Sequence, residues 1–182
     1  MDDDQQDFDN VVWDINDEAW GKTGKRLCTK MTCLAIESVA ADKCGKRATL
    51  VPPLRAGGYN MIYRIRLEEL STNDGIVFRI SRPDLTQFPE EKTIAEVATV
   101  KYIKENTNIP TPHVYHYGSS SLDTEIGPYI IMSYIKNNGS FSAALNDPKI
   151  KPGEPHMLDL NAEEEKLEHL YGQMAGHPLE LS

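Results

Sequence analysis

Between positions 59 and 67, Tyr59, Met61, Tyr63, Ile65 and Leu67 alternate with Asn60, Arg64 and Arg66. Side chains of an extended strand point to opposite faces at every second residue, so this period of two describes a strand with one buried face. Asn73-Asp74-Gly75 follows, a run that tolerates the positive φ of a hairpin turn, and Ile76 to Ser81 then reads as the returning strand. Upstream, Thr49-Leu50-Val51-Pro52-Pro53-Leu54 reads as a further short strand. Its two prolines lack ladder donors and restrict it to an edge. The segment 49–81 therefore predicts a three-stranded meander.

The clearest helix is expected from Pro89 to Asn106. A proline and two glutamates suit its first turn, and Ile94, Val97, Val100 and Ile103 give a helical stripe. Pro110 and Pro112 stop it. His113 to Tyr117 and Tyr129 to Ile135 read as two more strands, separated by a polar loop with Ser119 to Ser121 and Gly127-Pro128. The order β-β-β-α-β-β predicts an α+β fold: a five-stranded antiparallel sheet with one main helix, over 48–136.

Around that domain, residues 1–16 are an acidic tail expected to be disordered. Residues 17–47 are expected to be a helical extension carrying Trp20, Leu27, Met31, Leu34 and Ile36, with Gly21 and Gly24 interrupting the pattern. Residues 137–182 read as a linker and then a helix from Asn161 to about Ala175. Its Leu167, Leu170, Tyr171 and Met174 form an apolar face that needs a partner. With the sequence ending at Ser182, the expectation is a second lobe cut short after its first helix, or a protein partner on that face.

Composition removes several function classes. The net charge of -9 and pI near 5.0 oppose nucleic acid as a partner, because affinity for a phosphate backbone comes from Lys and Arg. No run approaches the roughly 18 apolar residues of a membrane span. The opening MDDDQQDFDN has neither the basic start of a secretory signal nor the arginines of a transit peptide, so a cytoplasmic protein is expected. Cys28, Cys33 and Cys44 lack a zinc or redox spacing and are read as reduced thiols.

Three places could carry chemistry. Gly57-Gly58, between two strands, could let backbone N–H groups close over phosphates, or could simply form a hairpin turn. Arg79 sits mid-strand on the face opposite Phe78 and Ile80. Glu96 lies four and seven residues before Val100 and Ile103, in or beside the helical stripe, where a carboxylate needs a partner. Arg79 is the natural one, since a guanidinium can hold a carboxylate and still offer donors to a phosphate. Solvated Arg79 and Glu96 are the alternative. Met132 could face an adenine ring whose edge bonds backbone groups of Ser133 and Ile135; alternatively, Tyr129 to Met132 is only a buried strand.

The succession resembles the N-terminal lobe of aminoglycoside phosphotransferases and related kinase-like proteins, especially the fungal phosphotransferase branch. The residues carrying the resemblance are Gly57-Gly58-Tyr59-Asn60, Asp74 to Pro83, Glu96 to Ile103, Ile109-Pro110-Thr111-Pro112 and Gly127 to Met132, so it covers roughly 48–140. It implies a protein-kinase-like N-lobe in which Arg79 replaces the strand lysine and pairs with Glu96. It also implies a hinge at Met132 to Ile135, ATP with Mg2+ as cofactor, a nucleotide site including Gly57, Gly58 and Asn60, and an unidentified small-molecule acceptor. Ser133 stands where many relatives have an acidic residue, and Asn137-Asn138-Gly139 shifts a glycine usual after the hinge.

Phosphoryl transfer in such proteins needs an H-x-D catalytic loop and a later metal-binding Asp. None of His113, His116, His156, His169 and His177 is followed two residues on by Asp. The expectation is thus an ATP-binding part that is inactive alone, with a non-catalytic binding or docking module as the alternative. A third alternative is an unrelated α+β protein, in which Arg79 and Glu96 would lie far apart.

Overall fold

In the computed structural model, the described residues are 21–22, 24–57, 59–68, 75–82, 85–119, 126–137, 139–151 and 154–181. The alternating segment forms strand β2 (Asn60–Leu67), between β1 (Ala48–Ala56) and β3 (Ile76–Ser81). Two later strands, β4 (Val114–Gly118) and β5 (Tyr129–Ser133), complete an open five-stranded sheet. Its order is β1-β2-β3-β5-β4, with every neighbouring pair antiparallel. The α+β class and the five antiparallel strands are as the sequence predicts.

β1 is an edge strand. Pro52 and Pro53 are joined by a cis peptide bond, and the register shifts between Val51 and Arg55. Prolines cannot donate to a ladder, and an edge position asks for donors on one side only. On this strand Leu50 N–H donates to Glu37 Oε1 at 2.7 Å.

Cross-strand partners share a face, so the register sorts the sheet into two surfaces. Met61, Tyr63 and Ile65 stand opposite Ile80, Phe78 and Ile76, and all six are buried. Tyr129 and Ile131 extend this layer, with Tyr129 stacked on Phe78 at 4.7 Å between ring centroids. The other face carries Ile62, Arg64, Val77, Arg79, Ile130 and Met132.

Helix α1 (Lys30–Cys44) covers the first of these faces. Thr29 caps it, accepting from Thr32 N–H at 3.2 Å, and Gly45 ends it in the left-handed conformation at φ 64°. Ile36 and Ala40 are completely buried in the same core cluster as the sheet's apolar layer. Leu27, on a helical turn over residues 24–27, joins that cluster. Burying a side chain such as Ile36 contributes about 1.5–3 kcal/mol. The helical segment expected to extend the domain therefore contributes Leu27, Ile36 and Ala40 to its core.

Helix α2 (Pro89–Asn106) occupies the bounds predicted, but its inward face is rotated from the predicted stripe. Thr93 and Val97 are buried, whereas Ile94 is 49% exposed. Thr93 turns inward because its hydroxyl donates to the Pro89 carbonyl at 2.8 Å, which satisfies its polar atom within the helix.

The chain divides into two compact units, 1–101 with 112–134 and 102–111 with 135–182. The second holds a short helix α3 (Phe141–Ala144) and α4 (Glu164–Glu180). The last helix was expected over 161–175. It starts three residues later and runs on through Gly176 and Pro178. Lys166 Nζ donates to the Ala144 carbonyl at 2.6 Å, tying α4 to α3. The tail over 1–16, Gly58, Asn73, Asp74, Ser120, Ser121 and Asn138 lie outside the described residues.

Candidate functional site

Of the residues singled out by the sequence, Asn60, Arg79 and Met132 stand on the face of the sheet away from α1, and Glu96 meets Arg79 there from α2. Arg79 stands on that face, paired across the ladder with Ile62 and Ile130. Its Nη2 donates to Glu96 Oε1 at 2.8 Å, and both side chains are 27% exposed. The alternative in which these residues are separately solvated is thereby set aside.

A third group joins them that the sequence reading missed. Lys92, one helical turn before Glu96, donates to the same Oε1 at 2.7 Å. It also donates to Asn60 Oδ1 at 3.1 Å and Ser81 Oγ at 3.2 Å. Asn60 and Ser81 are cross-strand partners at the ends of β2 and β3, so one ammonium reaches both. The i,i+4 spacing of Lys92 and Glu96 was the available signal. That spacing usually marks a solvated ion pair, so by itself it does not single out Lys92.

The electrostatics of this cluster favour an anion. Two cations share one carboxylate oxygen, leaving a net positive charge, and the Arg79 side chain is partly exposed. The three donors of Lys92 are matched by three acceptors, so it acts as a strut. Arg79 is the cation with donors to spare. Glu96 Oε2 is buried without a hydrogen-bond partner among the described residues.

The glycine turn is arranged less simply than a phosphate cradle requires. Gly57 N–H donates to the Asn60 carbonyl at 2.8 Å and closes the turn, so this donor is already used. A Cβ at Gly57 would meet that carbonyl oxygen at 3.5 Å, an ordinary contact. Arg82 N–H, in turn, holds the Tyr59 carbonyl at 2.9 Å.

Met132 is half-buried and paired with Val77, on the Arg79 face. Ser133 N–H donates to the His113 carbonyl at 2.8 Å, and Ser133 Oγ accepts from His113 N–H at 2.9 Å. The backbone N–H of Ser133 is therefore engaged, and a backbone contact to adenine there uses its carbonyl. Ile135 is 52% exposed and belongs to the second unit.

Beside this end of the sheet lies a groove of about 140 Å³ whose lining includes Val51, Ile62, Arg64, Val77 and Tyr134. The Arg64 guanidinium stacks over the Tyr134 ring at 4.1 Å, a cation–π contact. Cavities that enclose drug-sized ligands run about 300–1,000 Å³, so the groove holds at most a small flat group.

Among the described residues no three His, Cys, Asp or Glu side chains gather into a group able to hold a metal ion. The net positive charge of the Arg79, Lys92 and Glu96 cluster suits a polyphosphate. The three cysteines are free, and burial raises the thiol pKa values of Cys33 and Cys44.

Comparison with known proteins found no matching family model, no matching curated protein and no matching solved structure. What the fold defines is an α+β protein built on an open five-stranded antiparallel sheet. No helix among the described residues is long and apolar enough to cross a membrane.

Proposed function

We propose that the sheet and α2 form the nucleotide-binding part of a small-molecule kinase resembling the aminoglycoside phosphotransferases. The observation that carries this reading is the 2.8 Å contact from Arg79 on β3 to Glu96 on α2. A strand cation held by a helix carboxylate, next to a turn with Gly57 and on the same face as Val77 and Met132, is suited to the phosphates of ATP. Arg79 binds the phosphates, Glu96 orients Arg79, and Val77 and Met132 form the apolar wall for the base. The Ser133 carbonyl meets the base edge.

The 182 residues contain no H-x-D sequence, so no base for an acceptor hydroxyl is assigned and no turnover is expected from these residues by themselves. Calorimetry with magnesium and ATP tests the reading, with Arg79→Ala as the comparison. Saturable binding weakened about tenfold to a hundredfold in the variant is expected, the worth of a charge-assisted hydrogen bond. A folded wild-type chain that binds no nucleotide would sink it.

That second outcome would favour a non-catalytic docking module. On α4, Tyr171 is 57%, Met174 49% and Leu179 75% exposed, an apolar surface suited to a protein partner.

A further inference from the structure

A second pocket lies on the opposite side of the sheet from Arg79, where the C-terminal turn of α1 meets the ends of the strands. It has a volume of about 450 Å³, within the range of small-molecule sites. Leu67 and Ile76, both nearly fully buried, form its floor. Tyr115 adds an aromatic wall.

The polar lining is one-sided in charge. Lys43 and Lys46 are the ionisable cations, and no carboxylate is among the described lining residues. Cys44 also lines the pocket, and burial raises its thiol pKa, so it adds no negative charge at neutral pH. The C-terminal end of α1 contributes about half a negative charge, which two ammonium groups exceed. Lys43 pairs with Asp42 at 3.0 Å, but that carboxylate is 72% exposed. Exposed pairs are worth about 0–1 kcal/mol and yield readily to a competing anion.

Gly75 also lines the pocket. A Cβ there would meet the Ile65 carbonyl oxygen at 2.8 Å, and the Gly75 carbonyl accepts Tyr134 N–H at 3.1 Å. The backbone is thus fixed where any side chain would force it to shift.

We propose that this pocket binds a small aromatic carboxylate, with the ring on Leu67 and Ile76 beside Tyr115 and the carboxylate between Lys43 and Lys46. Ser133 borders both this pocket and the nucleotide site proposed above, but the proposal rests on Lys43, Lys46, Leu67 and Ile76 and does not depend on that site.

Phenylacetate is a suitable probe, with phenethylamine as its cationic counterpart of similar shape. Binding is read from methyl NMR shifts of Leu67 and Ile76. A second reading is protection of Cys44 from N-ethylmaleimide in a Cys28→Ser, Cys33→Ser background. Phenylacetate should shift both methyl groups and slow labelling, and should bind about tenfold more tightly than phenethylamine. Lys46→Glu should weaken phenylacetate about tenfold while leaving the far-UV circular dichroism unchanged, and Arg79→Ala should leave its binding unaltered. Equal binding of amine and acid, failure of phenylacetate to shift Leu67 and Ile76, or loss of binding in Arg79→Ala would each overturn the proposal.

Discussion

Tyr63 and Lys92 show how single side chains join elements that are distant in sequence. The Tyr63 hydroxyl, fully buried, donates to the Leu27 carbonyl at 2.8 Å. Burial first, and the nearby Cys28 and Cys33 second, raise its pKa above the ordinary tyrosine value. The folded chain then keeps this proton where the unfolded chain loses it. The contribution to stability is complete below about pH 10 and is lost as the pH rises through and beyond that value. Tyr63→Phe should lower stability by about 1–3 kcal/mol at neutral pH by leaving a buried carbonyl bare, and should flatten the loss above about pH 10. Urea titrations at neutral and alkaline pH check both parts; an unchanged alkaline slope would count against the assignment. Lys92→Met removes three hydrogen bonds and should cost about 1–3 kcal/mol. In a double-mutant cycle, Lys92 and Asn60 should couple by about 0.5–1.5 kcal/mol. The Arg79–Glu96 pair was legible in sequence because both positions are forced: Arg79 by the strand alternation, Glu96 by its place in the stripe. Lys92 was not, because its importance comes from Asn60 and Ser81 being brought together by the hairpin register.

At the scale of elements, the decisive relation is between α1 and the sheet. Ile36 is completely buried against a layer that includes Tyr63, Phe78 and Ile131. Ile36→Ala should therefore cost about 2–5 kcal/mol, the range for a cavity in a packed core. A helix merely attached to the domain would lose far less, and a urea midpoint separates the two. Gly118→Ala tests the other end of the same layer. Its Cβ would lie 2.5 Å from Tyr129 Cε1, and Tyr129 is clamped between Phe78 and the His116 ring, so it has little room to yield. A loss of about 1–3 kcal/mol is expected, in line with overpacked cores. The strands and α2 could be read because each carries its own period and its own stop signals. The role of α1 could not, since Lys30–Cys44 has only a faint apolar stripe and its burial is decided by the sheet it meets. The position of Ile94 was misjudged for a related reason. A period of 3.6 fixes which residues share a stripe, but the choice between adjacent stripes fell to Thr93, Val97 and the ion pair at Glu96.

At the scale of the whole molecule, the two units differ in how much apolar surface each removes from water. The sheet unit encloses Tyr63, Phe78, Ile36, Ile65, Ile80 and Ile131, all with less than 2% exposure. In the second unit, neither α3 nor α4 contains a buried residue. Cooperative stability follows buried apolar area, so the units should open at different free energies. Native-state hydrogen exchange should show amides of β2 and β3 opening only with global unfolding, while amides of α4 open at about 0–2 kcal/mol. Ile36→Ala should then lower the opening energy of β2 and β3 by its full cost and leave α4 nearly unchanged, because the lost contacts lie entirely within the sheet unit. If α4 fell in step with β3, the two units would be one cooperative block and their separate description would be wrong. If only β2 and β3 responded, the nucleotide-binding experiment would gain a simple form. The sheet unit could be destabilised or restored through its core while Arg79, Glu96 and Lys92 stayed chemically intact, separating loss of the site from loss of the fold.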